Sequence, residues 1–314
     1  MSASGTLVGD IGGTNTRLAL AEGGRCTRVT RYDNAAAGAL DACLGDFLER
    51  HALDATALDV LLAVAAPVSG GKVTLTNLAW HLCANDLVAA FGFARVEFVN
   101  DFVALAWALP VLTAADLVAL GGDAARDEAP ALVIGPGTGF GASLWLPHGG
   151  ALATEAGHAL IAGVSAEEVA LLARVRELIG APPSIEQVLS GAGLERIHRA
   201  LGGAPASAAA VFAAACEGRE ACAREALAHF HAFAGIAARN LALATGARGG
   251  VYLAGGILPR APGLLGASRF RARFETPAPL PGYLEAIPTR LIVHDEPALL
   301  GLAHRAGRRP PGAT

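Results

Sequence analysis

Two segments of this chain carry residue types at spacings suited to phosphate chemistry. Leu7 to Leu20 reads Leu-Val-Gly-Asp-Ile-Gly-Gly-Thr-Asn-Thr-Arg-Leu-Ala-Leu. Two apolar runs flank a Gly12-Gly13-Thr14-Asn15 turn, with Gly9 and Asp10 just before it. Glycines permit the tight turn, and bare backbone N–H groups there can converge on an anion. Asp10 suits a hydrated Mg²⁺ accompanying a nucleotide; an ordinary hairpin with a turn Asp reads the same residues. Leu132 to Trp145 reads Leu-Val-Ile-Gly-Pro-Gly-Thr-Gly-Phe-Gly-Ala-Ser-Leu-Trp. Aligning Gly137-Thr138-Gly139 with Gly13-Thr14 makes the two segments look like copies of one device. The dinucleotide fingerprint Gly-x-Gly-x-x-Gly and the P-loop are both missing from them. The single lysine, Lys72, sits in a Gly-Gly-Lys turn, which disfavours kinases that grip phosphate with lysine. Two opposed hairpins pinching one polyphosphate is the better reading.

A third candidate lies between them. Val96-Glu97-Phe98-Val99 reads as a short strand ending in Asn100-Asp101, and ligand sites in open α/β sheets sit at the carboxyl ends of strands. A carboxylate there can accept a proton. Its bland alternative is a helix N-cap for the segment from Phe102.

The elements that position these residues follow from hydrophobic periodicity. Val60 to Ala66 reads as a buried strand, turned by Pro67, Gly70 and Gly71 and continued from Lys72 to Thr76. Leu40, Leu44, Phe47 and Leu48 recur at helical spacing. Ala166 to Ile179 predicts a helix stopped by Gly180 and Pro182. Ser184 to Gln187 has the form of a capping box. Arg224 to Thr245 predicts a long helix closed by Gly246. Gly249 to Ile257 reads as a buried strand delivering Gly255-Gly256 to a turn. The Arg308–Thr314 tail, rich in proline and glycine, is expected to fray.

Composition narrows the function classes. The 314 residues suffice for two domains or one large one. Hydrophobic residues make up 53% and aromatics only 5%, so the core is built from small side chains at close backbone approach. A net charge of −4 gives no hint of nucleic acid. The longest apolar stretch, Phe102 to Ala115, is interrupted by Pro110 and too short to span a bilayer, and no secretory leader opens the chain. Cys26, Cys43, Cys83, Cys216 and Cys222 form no CxxC pair or zinc-like cluster, so free thiols in a reducing cytosol are expected. Glu155 and His158 lack a third metal ligand. His229 and His231, two apart on a helix, read as structural.

Taken together, the motifs resemble the bacterial glucokinase family of the actin-like ATPase and hexokinase superfamily. The resemblance rests on Gly9-Asp10-Ile11-Gly12-Gly13-Thr14-Asn15, Asn100-Asp101-Phe102, Gly135 to Gly141, Glu155 to His158, Val188 to Gly191, Leu253 to Ile257, Phe270 to Glu275 and Ile287 to Asp295. It runs in order over nearly the whole chain. Ala156 and Ala192 depart from the family pattern, which has glycine and proline there, and the extra methyl at 156 is expected to narrow a sugar pocket. The chain also lacks the zinc-binding cysteine cluster of the related ROK group.

The resemblance implies an α/β chain with the two-domain actin-like ATPase (ribonuclease H-like) fold and an interdomain cleft. A small domain covers 1–111 plus 299–314 and a large domain 112–298. The implied reaction is MgATP-dependent phosphorylation of D-glucose to glucose 6-phosphate, with Asp101 as general base. Asn100 and Asp101 hold the hydroxyls toward the reacting end of the sugar, and Glu155, His158 and Glu186 those toward the anomeric end. Asn77 stands behind them. For Glu186 the alternative is a helix-dipole carboxylate. Thr138 with Gly137 and Gly139 contacts the β- and γ-phosphates; Gly12, Gly13, Thr14 and Asn15 meet them from the first hairpin. Gly255 and Gly256 form the adenosine floor, and Asp10 holds Mg²⁺ through water. The implied partners are glucose and ATP, with no nucleic acid or membrane, in a cytoplasmic homodimer. The rival readings are the same chemistry with another sugar or a polyphosphate or ADP donor, and a non-catalytic sugar sensor.

Overall fold

The computed structural model describes residues 5–75, 78–123, 127–276 and 282–308, and the chain divides into two units, Met1–Leu112 with Asp295–Thr314, and Thr113–His294. In the first unit, β1 (Thr6–Ile11), β2 (Asn15–Glu22) and β3 (Arg25–Asp33) run as an antiparallel meander. β4 (Asp59–Val64) joins β1 in parallel; β5 (Lys72–Leu75) and β6 (Trp80–Cys83) form a separate hairpin; β7 (Arg95–Asn100) joins β4 in parallel. The sheet order is β3-β2-β1-β4-β7. β4 is buried on both faces, as its continuous Val60-to-Val64 run requires.

The helix Leu40–Arg50 buries Leu40, Cys43, Leu44 and Phe47 against this sheet's core. The apolar stretch from Phe102 becomes the helix Asp101–Ala108, and Pro110 then sits in the short 3₁₀ turn Leu109–Val111. The helix Pro297–Gly307 belongs to the same unit. Its Gly301 lies so close to the Asp101–Ala108 helix that a Cβ there would come within 1.9 Å of the Ala104 carbonyl oxygen.

The second unit repeats the plan. β8 (Leu117–Gly121) lies at one edge, and β9 (Ala131–Pro136), β10 (Phe140–Leu146) and β11 (Gly150–Ala153) form an antiparallel meander. β12 (Gly250–Leu253) and β13 (Thr289–Ile292) continue from β9 in parallel, giving the order β11-β10-β9-β12-β13-β8. Its first five strands reproduce the arrangement of the first sheet, so the likeness of the two glycine hairpins extends to their surroundings.

The helix Ala166–Ile179 forms over the span its pattern predicts, closed by Gly180 in the left-handed region at φ 76°. The long helix starts at Ala221, three residues before Arg224, and ends at Thr245. It is the spine of the second core, burying Phe230, Phe233 and Ile236. No helix among the described residues is long and apolar enough to cross a membrane.

The Gly301 contact yields a stability test. Gly301→Ala must push two helices apart in a closely packed core, so it should destabilise the protein by about 1–3 kcal/mol. Urea unfolding of both proteins measures this; equal midpoints would mean that the packing is not tight there.

Candidate functional site

In the first unit the site begins with strand register. Ile11, Val64 and Asn100 are paired across β1, β4 and β7, so three carboxyl ends finish level. With neighbouring strands about 4.8 Å apart, β1 and β7 stand about 10 Å apart. Asp10 is one residue before the first of these ends and Asp101 one residue after the last.

Asn100, and not Asp101, is the N-cap of the following helix: its Oδ1 accepts from the Phe102 N–H at 3.0 Å. Asp101 occupies the first helical position, and its Oδ1 accepts from the same N–H at 3.0 Å. The two side chains therefore share one donor, and the capping alternative falls to Asn100. Burial, and then the charge of Asp10, push the Asp101 carboxyl up to about 7, against the smaller pull of its hydrogen bonds from Phe102, its own backbone and Asn100. A carboxylate titrating near neutrality is a competent proton acceptor.

Asp10 is raised too, by burial, with Arg17 opposing. The hairpin register pairs Asp10 with Arg17, and their side chains meet at 3.0 Å, from Nη1 to Oδ2. Arg17 Nε lies 2.8 Å from Glu296 Oε2, just ahead of the Pro297–Gly307 helix, and burial raises Glu296 as well. One guanidinium thus serves two half-buried carboxylates. Sequence reasoning missed both Arg17 and Glu296. Arg17 had a signal, because a tight turn at Gly12–Thr14 brings it opposite Asp10. Glu296 had none.

The first glycine turn is held by a third missed residue. Asn34, 3% exposed, donates from Nδ2 to the Gly12 carbonyl at 2.8 Å and accepts from the Thr16 hydroxyl at 2.8 Å. The Gly12 N–H donates to the Asn15 carbonyl at 3.0 Å. Gly12 therefore closes the turn, and its N–H is not one of the bare donors that the sequence promised.

In the second unit β9 and β12 run side by side, with Ile134 paired to Leu253. The Gly137-Thr138-Gly139 loop and the Gly255-Gly256 turn thus leave adjacent strand ends. Glycine is required at this approach. Gly255 has φ +84°, and a Cβ there would meet the Pro136 carbonyl oxygen at 2.4 Å. Gly137 also donates inside its own loop, to the Gly139 carbonyl at 2.8 Å.

Glu186 is joined to this loop. It stands second in the short helix Ile185–Val188, whose capping box forms between Ser184 and Gln187 as the sequence predicts. Its Oε2 accepts from the Phe140 N–H at 2.8 Å, directly after Gly139, where a Cβ would come within 2.5 Å of that oxygen. The 3₁₀ turn Ala156–His158 is tied to the same place, through Ile185 N to Ala159 O at 2.8 Å and Ile161 N to Pro183 O at 3.2 Å. Glu155 and His158 project from it, 75% and 71% exposed, 3.6 Å apart from Oε2 to Nε2. The fold thus ties the turn that carries Glu155 and His158 to the helix that carries Glu186. Ala156 packs against the hydrophobic core, so its extra methyl is accommodated from within. Asn77 lies outside the described residues.

Comparisons with known proteins bear on the family and the fold. The sequence profile of the family described as Glucokinase matches residues 7–309. The chain is 40% identical to the glucokinase of Chromobacterium violaceum, over 97% of this chain and 91% of that one. Its structure resembles that of a glucokinase from an Antarctic psychrotroph at TM-score 0.86 and 33% identity, over 96% and 98% of the two chains. The glucokinase of Balamuthia mandrillaris in complex with glucose shares the fold at TM-score 0.75 and 23% identity, over 97% and 94%.

The raised Asp101 carboxyl makes a prediction for stability without Mg²⁺ or substrate. Its folded value, about 7, exceeds the ordinary carboxyl value of 3.8. Its contribution is therefore fully present below about pH 4 and lost as pH rises through about 7. Asp101→Asn removes the ionisation and retains a side-chain oxygen for Phe102. The mutant should melt higher than the parent at pH 8, keep a smaller advantage at pH 5 and lose it by about pH 4. Equal melting temperatures at pH 8 would show that Asp101 ionises there without penalty.

Proposed function

The chain belongs to the glucokinase family, and from that premise we propose that Asp101 takes the proton of the reacting sugar hydroxyl. The reaction is phosphorylation of D-glucose by ATP. The observation that carries the assignment is a carboxyl titrating at about 7 at the level carboxyl ends of β1, β4 and β7. As the 6-hydroxyl oxygen bonds to the γ-phosphorus, its proton passes to Asp101, the bond to the β-phosphate oxygen breaks, and ADP leaves. Asn100 fixes the N-terminal turn that carries Asp101 and offers its amide to the neighbouring hydroxyl.

The remaining roles belong to the same proposal. Glu155, His158 and Glu186 take the hydroxyls at the anomeric end. Glu186 has given one oxygen to Phe140 and keeps the other for the sugar, so sugar contact and phosphate loop share one carboxylate. Thr138 and Gly139, with Gly13, Thr14 and Asn15, contact phosphates, while Gly12 and Gly137 shape the two loops from within; Gly255 and Gly256 lie under the adenosine. Asp10 fits hydrated Mg²⁺: it is an oxygen donor whose charge is penalised by burial and relieved by a cation. When bound, Mg²⁺ neutralises charge on the transferring phosphoryl group. The same reading makes the enzyme a cytosolic homodimer.

Asp101→Asn should lower kcat by on the order of 10²–10⁴ while the glucose Kd changes much less. A variant retaining more than a tenth of the parental kcat would remove Asp101 from the base role. Calorimetry with glucose alone supplies the Kd.

For Glu186, replacement by Gln keeps an acceptor for Phe140 and weakens a charge-assisted bond to the sugar. The glucose KM should rise about tenfold with kcat reduced much less, and the preference for glucose over 1-deoxyglucose should shrink. If steady-state kinetics show that preference unchanged, Glu186 serves only the loop and its helix dipole.

A further inference from the structure

The second unit holds a buried histidine that the mechanism does not use. His229, on the helix Ala221–Thr245, is fully buried, and neither of its ring nitrogens makes a hydrogen bond. Such a group costs free energy unless something pairs with it. Two carboxylates stand at it. Glu225 is four residues earlier on the same helix, hence on the same face. Glu167 reaches across from the helix Ala166–Ile179, its Oε1 3.3 Å from His229 Nε2. One donor atom from each of Glu167, Glu225 and His229 lies within 4.8 Å of the other two.

We propose that Glu167, Glu225 and His229 bind a divalent transition-metal ion of the Zn²⁺ type, linking the Ala166–Ile179 and Ala221–Thr245 helices. Donors at 2.0–2.1 Å from a tetrahedral ion stand about 3.3–3.4 Å apart, which is the His229–Glu167 separation. Imidazole nitrogen and carboxylate oxygen are both zinc ligands, and water can take the fourth position of a three-residue site. The partly exposed carboxylates give the ion a route in. Glu167 has outer support as well: its second oxygen lies 3.4 Å from Arg269 Nη1, which would orient the carboxylate and leave Oε1 toward the histidine. The cluster of His198, Glu220 and Cys222 differs in kind. There His198 Nε2 and Glu220 Oε1 are 2.9 Å apart and hydrogen-bonded, so that histidine already has its partner.

Isothermal titration of the full chain with ZnCl₂, in a buffer that does not chelate, tests the site. The expected result is one ion per chain with micromolar or tighter affinity, and a melting temperature raised by roughly 2–5 °C under saturation. Glu225→Gln should weaken binding at least tenfold and abolish the thermal shift, while its glucose-phosphorylating activity with Mg²⁺ stays near the parental level. Cys222→Ser should bind as the parent does. With Co²⁺ in place of Zn²⁺, the visible spectrum should show a nitrogen–oxygen ligand set without thiolate charge transfer. The proposal is overturned if no binding is seen up to millimolar Zn²⁺, if Glu225→Gln binds like the parent, or if Cys222→Ser is the variant that loses the ion. Glu225 is exposed, so its replacement does not put folding at risk, and a Glu167→Gln variant repeats the test from the other helix.

Discussion

The parallel pairing of β1, β4 and β7 is the constraint on which the chemistry depends. Backbone hydrogen bonds leave Ile11, Val64 and Asn100 level, so side chains nearly a hundred residues apart in sequence meet at one edge of a sheet. A register slip of one residue would turn Asp10 to the opposite face. The register is held by packing on both faces: Leu7, Val8, Val60, Leu62 and Phe98 are almost wholly removed from water, and a slip would exchange the side chains that each face packs.

Bringing carboxylates together in a half-buried place has an electrostatic cost, and the protein manages it by unequal pairing. Arg17 is shared by Asp10 and Glu296, while Asp101 receives only neutral hydrogen bonds. Burial raises all three carboxyls; Arg17 opposes the shift at Asp10 and Glu296, and no cation opposes it at Asp101. In the proposed reaction, the stability given up near neutral pH accompanies a carboxyl able to take a proton there.

The glycines of the second unit answer a different need. Where β9 and β12 release their loops together, Gly135 and Gly255 let two backbones pass closer than any Cβ allows. Glu186 then fastens the loop from the side through Phe140. Close backbone approach and one carboxylate hydrogen bond shape this loop.

The sequence by itself determined the local devices: both glycine hairpins, the Asn100-Asp101 strand end, the helix Ala166–Ile179 and the Ser184–Gln187 capping box. Each depends on neighbours within a few residues, where turn chemistry and periodicity act directly. Tertiary structure alone decided what those devices touch. The cap fell to Asn100 because the strand–helix junction turned its oxygen to Phe102. Gly12 and Gly137 spent their N–H groups inside their loops. Arg17 found Glu296, Asn34 found Gly12, and His229 was enclosed beside Glu167, because long-range packing chooses partners whose separation along the chain leaves no local pattern. Burial, which sets the proton affinity of Asp101, is a property of the packed sheet and not of any segment read alone.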